Sequence, residues 1–304
     1  MKTNVSNNYQ PKISSQNSEY YPLISIITVI FNGKNFLEST IKSVINQSYE
    51  NVEYIIIDGG STDGTLEIIK QYEKNLAYWI SESDRGIYDA MNKGIRVAKG
   101  KIIGILNCGD LYNQDALKKV AKLYKNNQQN EYLIITGAMT RFDNNTKIEF
   151  IQKRSPTDLR RRINLGMPIN HPATFVTKNI YETIGYFDPE FKIGGDYDFI
   201  FRAYHSKIVQ FIFADDVLAL MSMGGVSEKL TNLWIRAREA MKIRKAKLST
   251  VHNVLLALRL IFIGYTKHLL VAIMGQKAVS IKHKIKQKTS NLSNLIDEGK
   301  NLSY

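Results

Sequence analysis

The chain alternates between short β-branched runs and segments whose apolar positions recur at helical spacing. Residues 23–30 (Leu-Ile-Ser-Ile-Ile-Thr-Val-Ile) are almost continuously apolar, as in a strand buried on both faces. Phe31-Asn32-Gly33 breaks the run. Phe36, Leu37, Ile41, Val44 and Ile45 then mark one face of a helix. Residues 52–57 predict a second strand, parallel to the first by the right-handed crossover rule. Residues 66–72 predict a helix, 76–80 a third strand, 87–98 a helix stopped by Gly100, and 101–106 a fourth strand. The order β-α-β-α-β-α-β predicts a doubly wound α/β sheet.

Beyond it the pattern predicts a helix over 114–125 and a hairpin of strands over 132–139 and 147–151. A basic loop or short helix follows over 154–162, and His171-Pro172 leads into a strand. Gly194-Gly195-Asp196-Tyr197-Asp198-Phe199 opens a helix running to Tyr204. Late strands are expected over 208–213 and 217–221, and Gly224-Gly225-Val226-Ser227 closes the domain. Residues 1–21, rich in Asn, Ser, Gln and Lys, lack periodicity and read as a disordered leader. The domain is expected over 22–226, followed by a basic helical region over 227–304.

Charge changes the picture only at the C-terminus. The net charge is +13, and between Arg236 and Lys288 there are 13 Lys and Arg against one acid, Glu239. Such a block prefers an anionic surface. Residues 254–274 are strongly apolar but carry Arg259, Lys267 and His268. A span needs about 20 mostly apolar residues, and a central charge costs roughly 2.5–3.5 kcal/mol. A helix lying in the membrane interface with its basic side chains snorkelling fits better. Packing on the domain or on a second subunit, giving a homo-oligomer, is the other reading. Little aromatic interleaving among the lysines argues against nucleic acid. One cysteine, Cys108, excludes an intrachain disulfide framework. With no secretory signal at the N-terminus, a cytoplasmic enzyme peripheral on the inner face of the membrane is expected.

Four acids fall in loops after strands or at a helix start: Asp58, Asp84, Asp110 and Asp196. In open α/β sheets, ligands bind beyond the carboxyl ends of the strands. No Gly-x-Gly-x-x-Gly follows the first strand, so a dinucleotide site is unsupported. A sugar-nucleotide donor needs acceptors for its base and ribose. Its diphosphate needs oxygen ligands holding Mg²⁺ or Mn²⁺, and the attacking hydroxyl needs a general base. Asp58, Asp110 and Asp196 suit these roles in turn.

The stretches Ser25–Asn32, Ser43–Tyr49, Ile57–Thr65, Asp84–Gly94 and Leu106–Asp110 resemble family 2 glycosyltransferases, in that family's order and spacing. The likeness covers about residues 22–225 and is nearest to the bacterial colanic-acid, capsular and exopolysaccharide group. It implies a GT-A fold, a nucleotide-sugar donor with UDP favoured, a divalent cation, and inversion at the anomeric carbon. The acceptor implied is a glycan or a polyprenyl-diphosphate-linked sugar. Carried over by position, Thr28, Phe31 and Asn32 would hold the base and Asp58 the uracil or ribose. Asp84, Arg85, Asn92 and Asn107 would line the nucleotide pocket. Asp110 would hold the metal and Asp196 would be the catalytic base.

Two departures from the family pattern stand out. Asn107 and Gly109 replace acids of the metal motif, leaving Asp110 as its one carboxylate, and Gly195 replaces an acid before the base. A non-catalytic sugar-nucleotide binder is therefore the alternative. Asp198 is the alternative base, but helical spacing turns it about 200° from Asp196. His171 could contact diphosphate, metal or acceptor. Trp79 reads as core, with stacking on a sugar the alternative; Cys108 reads as a space-filler beside the metal loop, and Arg160-Arg161-Arg162 as a solvated run, with contact to acceptor phosphate the alternative.

Overall fold

The computed structural model describes residues 2–5, 21–143, 149–223, 225 and 229–274. Its strands are β1 (Lys2–Val5), β2 (Ile24–Ile30), β3 (Val52–Asp58), β4 (Tyr78–Ser81), β5 (Ile102–Ile105), β6 (Leu111–Tyr112), β7 (Leu133–Phe142), β8 (Glu149–Gln152), β9 (Thr174–Thr177) and β10 (Gln210–Ser222). The helices are α1 (Lys34–Ile45), α2 (Thr65–Gln71), α3 (Ile87–Val97), α4 (Ala116–Lys125), α5 (Pro156–Arg162), α6 (Lys178–Ile184), α7 (Gly195–Ser206), α8 (Leu233–Arg244) and α9 (Thr250–Met274).

One sheet joins the strands in the order β1-β4-β3-β2-β5-β9-β7-β10-β6, with β8 paired to β7. Strands β4, β3, β2 and β5 are parallel, as the βαβ pattern requires. Strands β2 and β3 are buried along their whole length because helices cover both faces. Along β2, Ile24, Ile26 and Ile30 pack toward α1, α2 and α4, while Ile27 and Val29 pack toward α3 and α7. Burying such a side chain stabilises by roughly 1.5–3 kcal/mol, so this alternation fixes the register of the central strands.

Beyond β5 the sheet turns mixed, since β9 runs antiparallel between β5 and β7. The late strands expected as two are one, β10, with register shifts between Phe213 and Ala219. A bulge there absorbs Asp215 and Asp216 before the ladder with β7 resumes. Within the expected leader, Lys2–Val5 pair antiparallel with β4 and add a strand to that edge of the sheet; residues 6–20 lie outside the described part.

Helix α8 does not stand apart from the domain. Its Leu233, Ala237, Ala240 and Ile243 are buried, and Ala240 and Ile243 join the core beneath α7. Arg244, fully buried, donates from Nε to Asn253 Oδ1 at 3.0 Å and from Nη1 to the carbonyl of Asn164 at 2.7 Å. Helix α9 packs on α8 so closely that a Cβ at Gly264 would lie 2.5 Å from Leu233. The basic region expected beyond Met274 lies outside the described residues.

Candidate active site

Because β2 to β5 are parallel, the loops that follow them meet at one edge of the sheet. The loop after β3 is locked by Asp58. Its carboxylate accepts from the backbone N–H of Ser61 (3.0 and 3.3 Å), the hydroxyl of Ser61 (2.5 Å) and the hydroxyl of Ser81 (2.5 Å). Asp58 is 0% exposed. These bonds shape the loop, as in an Asx turn.

Asn32, at φ 51°, staples this loop to the one after β2. Its backbone N–H donates to Ser61 Oγ (2.7 Å) and its side-chain oxygen accepts from Thr62 N–H (2.9 Å). Asp63, which sequence reasoning passed over, accepts from Lys34 N–H at the start of α1 and from both N–H and hydroxyl of Thr65. The Thr65 hydroxyl above all holds its carboxyl below the usual range.

Gly59 brings the loops after β2, β3 and β4 close together. A Cβ on Gly59 would stand 2.6 Å from Asp84 Oδ2 and 3.5 Å from the Phe31 ring. Only glycine lets that carboxylate approach the backbone so closely, while the Phe31 ring, 65% exposed, lies beside it at ordinary contact distance. A solvent-facing aromatic face beside a carboxylate acceptor can take a nucleobase and a ribose. Asp84 also accepts from Gly86 N–H (2.8 Å). Arg85, mostly exposed, reaches Asp89 at 3.3 Å on the rim.

Two residues expected in this pocket lie elsewhere. Thr28 is buried, its hydroxyl 3.1 Å from that of Tyr54. Its place on β2 points it into the layer under α1 and α2. Asn92 is buried too, with Nδ2 donating to the Phe187 carbonyl (2.8 Å) and Oδ1 accepting from Phe187 N–H (3.1 Å). It clamps α3 to the loop that leads toward α7, and neither side chain offers a polar atom to a ligand.

The loop after β5 carries Asn107 to Asp110. The Thr40 hydroxyl receives Gly109 N–H (2.9 Å) and donates to the Asp110 carbonyl (3.0 Å). The carboxyl of Asp110 is buried, and burial pushes it up to about 7 against the opposing pull of Arg141. Asn107 Oδ1 is buried without a hydrogen-bond partner among the described residues. A carboxylate and an orphaned amide oxygen are hard oxygen donors of the kind Mg²⁺ or Mn²⁺ takes. Among the described residues no group of three His, Cys, Asp or Glu could hold a metal ion, so such a pair would need further oxygens from phosphate and water. Burial raises the Cys108 thiol to about 12, which makes it an inert space-filler.

Asp196 begins α7. Tyr197 N–H donates to its Oδ1 at 2.8 Å, and the Tyr88 hydroxyl, held at 2.5 Å by the Ile193 carbonyl, lies 3.4 Å away. Gly195 has a steric reason: a Cβ there would meet the Tyr88 ring at 2.8 Å. Asp196 and His171 line a cavity of about 20 Å³ with Ile105, Thr174 and Phe199, room for about one water. Burial raises the Asp196 carboxyl, with His171 pulling it down, and burial lowers the His171 imidazole, with Asp196 pulling it up.

Asp198 faces away. It pairs with Arg202 at 2.8 Å, and that guanidinium binds the carbonyls of Ile184, Gly185 and Tyr186. Sequence reasoning also missed Glu239 on α8. It accepts the backbone N–H groups of Lys192 (2.7 Å), Ile193 (3.1 Å) and Gly194 (2.7 Å), just before Asp196. No local pattern signals a partner 45 or more residues away.

The sequence model described as Glycosyl transferase family 2 matches residues 25–185. An uncharacterized glycosyltransferase of Mycobacterium tuberculosis is 33% identical over 184 residues, covering 60% of this chain and 69% of that protein. A mannosyltransferase from Pyrobaculum calidifontis, solved with GDP-Man and Mn²⁺, superposes with a TM-score of 0.56 at 17% identity, over 90% of this chain and 81% of that one. S. aureus TarS 1–349 in complex with UDP-GlcNAc gives 0.55 at 17% identity, over 78% and 71%; the chain spans 42% of a longer TarS chain. The chain belongs to glycosyltransferase family 2 and is a transferase with the GT-A fold.

Proposed function

We propose that the protein moves a sugar, with inversion, from a nucleotide-sugar donor to a hydroxyl of a glycan or polyprenyl-diphosphate-linked acceptor, in the synthesis of a surface polysaccharide. The carrying observation is the placement of Asp196. It is a half-buried carboxylate, its pKa raised by desolvation, that faces a cavity shared with His171 beside the strand ends where the donor loops converge.

Phe31, Gly59 and Asp84 would receive base and ribose, with Asn32 and Asp58 holding their loops and Arg85 at the edge. UDP is favoured by the family resemblance and by TarS, which binds UDP-GlcNAc. Asp110 and Asn107 would hold a divalent cation, which when bound neutralises the diphosphate. Asp196 takes the proton of the acceptor hydroxyl as that oxygen attacks the anomeric carbon from the face opposite the diphosphate. The bond to the diphosphate breaks, and the nucleotide leaves with that electron pair. A carboxyl pushed toward neutrality is the better base, since its affinity for the proton is higher. His171 faces Asp196, and its lowered pKa keeps it neutral at pH 7, suited to hydrogen-bonding the acceptor.

The reading extends to a membrane surface. Among the described residues no helix is long and apolar enough to cross a membrane. Yet α9 exposes Leu255, Leu258, Phe262, Tyr265 and Leu269 along one stripe, Phe262 at 69%, next to the basic residues of the C-terminal region. That combination suits an anionic leaflet.

Asp196→Asn tests the assignment. Transfer to a lipid-linked acceptor should fall by a factor of about 10² to 10⁴ while UDP binding is kept. Transfer near the wild-type rate would sink it. The non-catalytic alternative draws on the loss of carboxylates at positions 107 and 109. Nucleotide binding without turnover on a broad panel of acceptors would favour it.

A further inference from the structure

Three arginines that the transfer chemistry leaves unused lie within reach of one another's charge, and one of them, Arg141, also acts on Asp110. Arg141 lies near the end of β7, and the ladder fixes its place. Leu111 pairs with Leu220, and the next residue of β10, Met221, pairs with Arg141. Extending the first ladder by one residue sets Asp110 opposite Met221. Asp110 and Arg141 then share a cross-strand row and a face of the sheet, two strands or about 10 Å apart.

Arg154 follows β8, and Arg162 ends α5. Arg154 feels the charges of both Arg162 and Arg141, and Asp158 offsets them. That carboxylate is already shared with the hydroxyl of Ser155 at 3.0 Å. Burial first, and then these like charges, bring the Arg154 guanidinium down to about 10. The Nε atoms of Arg154 and Arg162 are buried and have no hydrogen-bond partner among the described residues.

Residues close to both arginines in the chain bond to residues flanking Asp196 and His171. Ile163, next to Arg162, accepts the hydroxyl of Tyr197 at 2.5 Å, and Tyr197 follows Asp196. Gln152, two residues before Arg154, bonds Asn170 at 2.6 Å, and Asn170 precedes His171. Buried guanidinium N–H groups without acceptors destabilise a fold. They are what a phosphate with several oxygens satisfies, through charge-assisted and forked hydrogen bonds.

We infer that Arg154 and Arg162 form a phosphate-binding subsite that holds the phosphate or diphosphate of the acceptor. The inference rests on the transfer reading above and names the acceptor's chemistry. The donor also carries a diphosphate, but its loops follow β2 to β5, whereas these arginines are anchored on the Asp196 and His171 side.

The test is calorimetric binding of two probes, farnesyl diphosphate and UDP with Mn²⁺, to the full chain and to Arg154→Gln and Arg162→Gln. Circular dichroism and melting temperature separate a misfolded variant from one that has lost the subsite. In folded variants, farnesyl diphosphate should bind about tenfold or more weakly, as expected on losing a charged hydrogen bond, with UDP within about twofold of wild type. Equal weakening of UDP would overturn the acceptor assignment and give the arginines to the donor's phosphates. Unchanged farnesyl diphosphate binding, or none by a wild type that binds UDP, would overturn the subsite. Arginine-dependent binding of farnesyl diphosphate by a chain that binds no UDP would support the subsite while the transfer reading failed.

Discussion

At the scale of single residues, the site turns on what burial does to carboxyl groups. The Asp196 carboxyl is raised by burial, and His171, Tyr197 N–H and the Tyr88 hydroxyl pull it back. If Asp196 is the base, as proposed, transfer needs the ionised form, and the rate should fall as pH drops through that raised pKa. Tyr88→Phe removes one group that favours ionisation. The acid limb of kcat should therefore move to higher pH, while the limb for UDP binding stays in place; an unmoved kcat limb would separate Tyr88 from the base. The protonated form is the one the fold prefers, so the stabilising contribution of Asp196 is complete below the ordinary carboxylate range and fades as pH rises through the raised value. The acids themselves were legible in the sequence because each follows a strand or opens a helix. Their division of labour was not. Asp58 reads like Asp84, yet Ser61 and Ser81 consume its carboxylate, while Asp84 lies against Gly59 beside Phe31. Thr28 and Asn92 sit within family motifs, yet their partners Tyr54 and Phe187 are 26 and 95 residues away.

At the scale of elements, β2 to β5 and the helices between them follow directly from apolar runs and helical spacing, because both sheet faces are covered. What escaped lacks periodicity or depends on distant contacts. Strand β6 is two residues long and exists through its pairing with β10. Helix α8 reads as a basic helix of the C-terminal region, but Glu239 on it caps three backbone N–H groups of the turn that launches α7. Glu239 thereby acts as a positioning residue for Asp196. Glu239→Ala leaves those donors without their carboxylate and should lower stability by about 1–3 kcal/mol. It should also reduce kcat while leaving the affinity for UDP unchanged. Equal loss of kcat and of UDP affinity would show that α8 supports the whole fold and not the base in particular.

At the scale of the molecule, the Asp196 cavity and the apolar stripe of α9 belong to one chain of elements, linked through Glu239 and Arg244 of α8. The stripe should bring the protein to vesicles containing phosphatidylglycerol and much less to phosphatidylcholine. The double variant Leu258→Glu, Phe262→Glu should stay unbound in flotation. Wild type that ignores anionic vesicles but runs as a dimer would assign the stripe to a second copy. The central claim is that this family 2 chain binds a nucleotide-sugar donor through a divalent cation at Asp110 for transfer by Asp196. The most direct measurement is calorimetric titration with UDP, GDP and dTDP, with and without Mn²⁺, of wild type, Asp110→Ala and Asp196→Asn. The account predicts Mn²⁺-dependent binding of one nucleotide, UDP above the others, weakened about tenfold or more in Asp110→Ala and nearly unchanged in Asp196→Asn. Binding by no nucleotide under either condition, or Asp110→Ala binding as tightly as wild type, would contradict it.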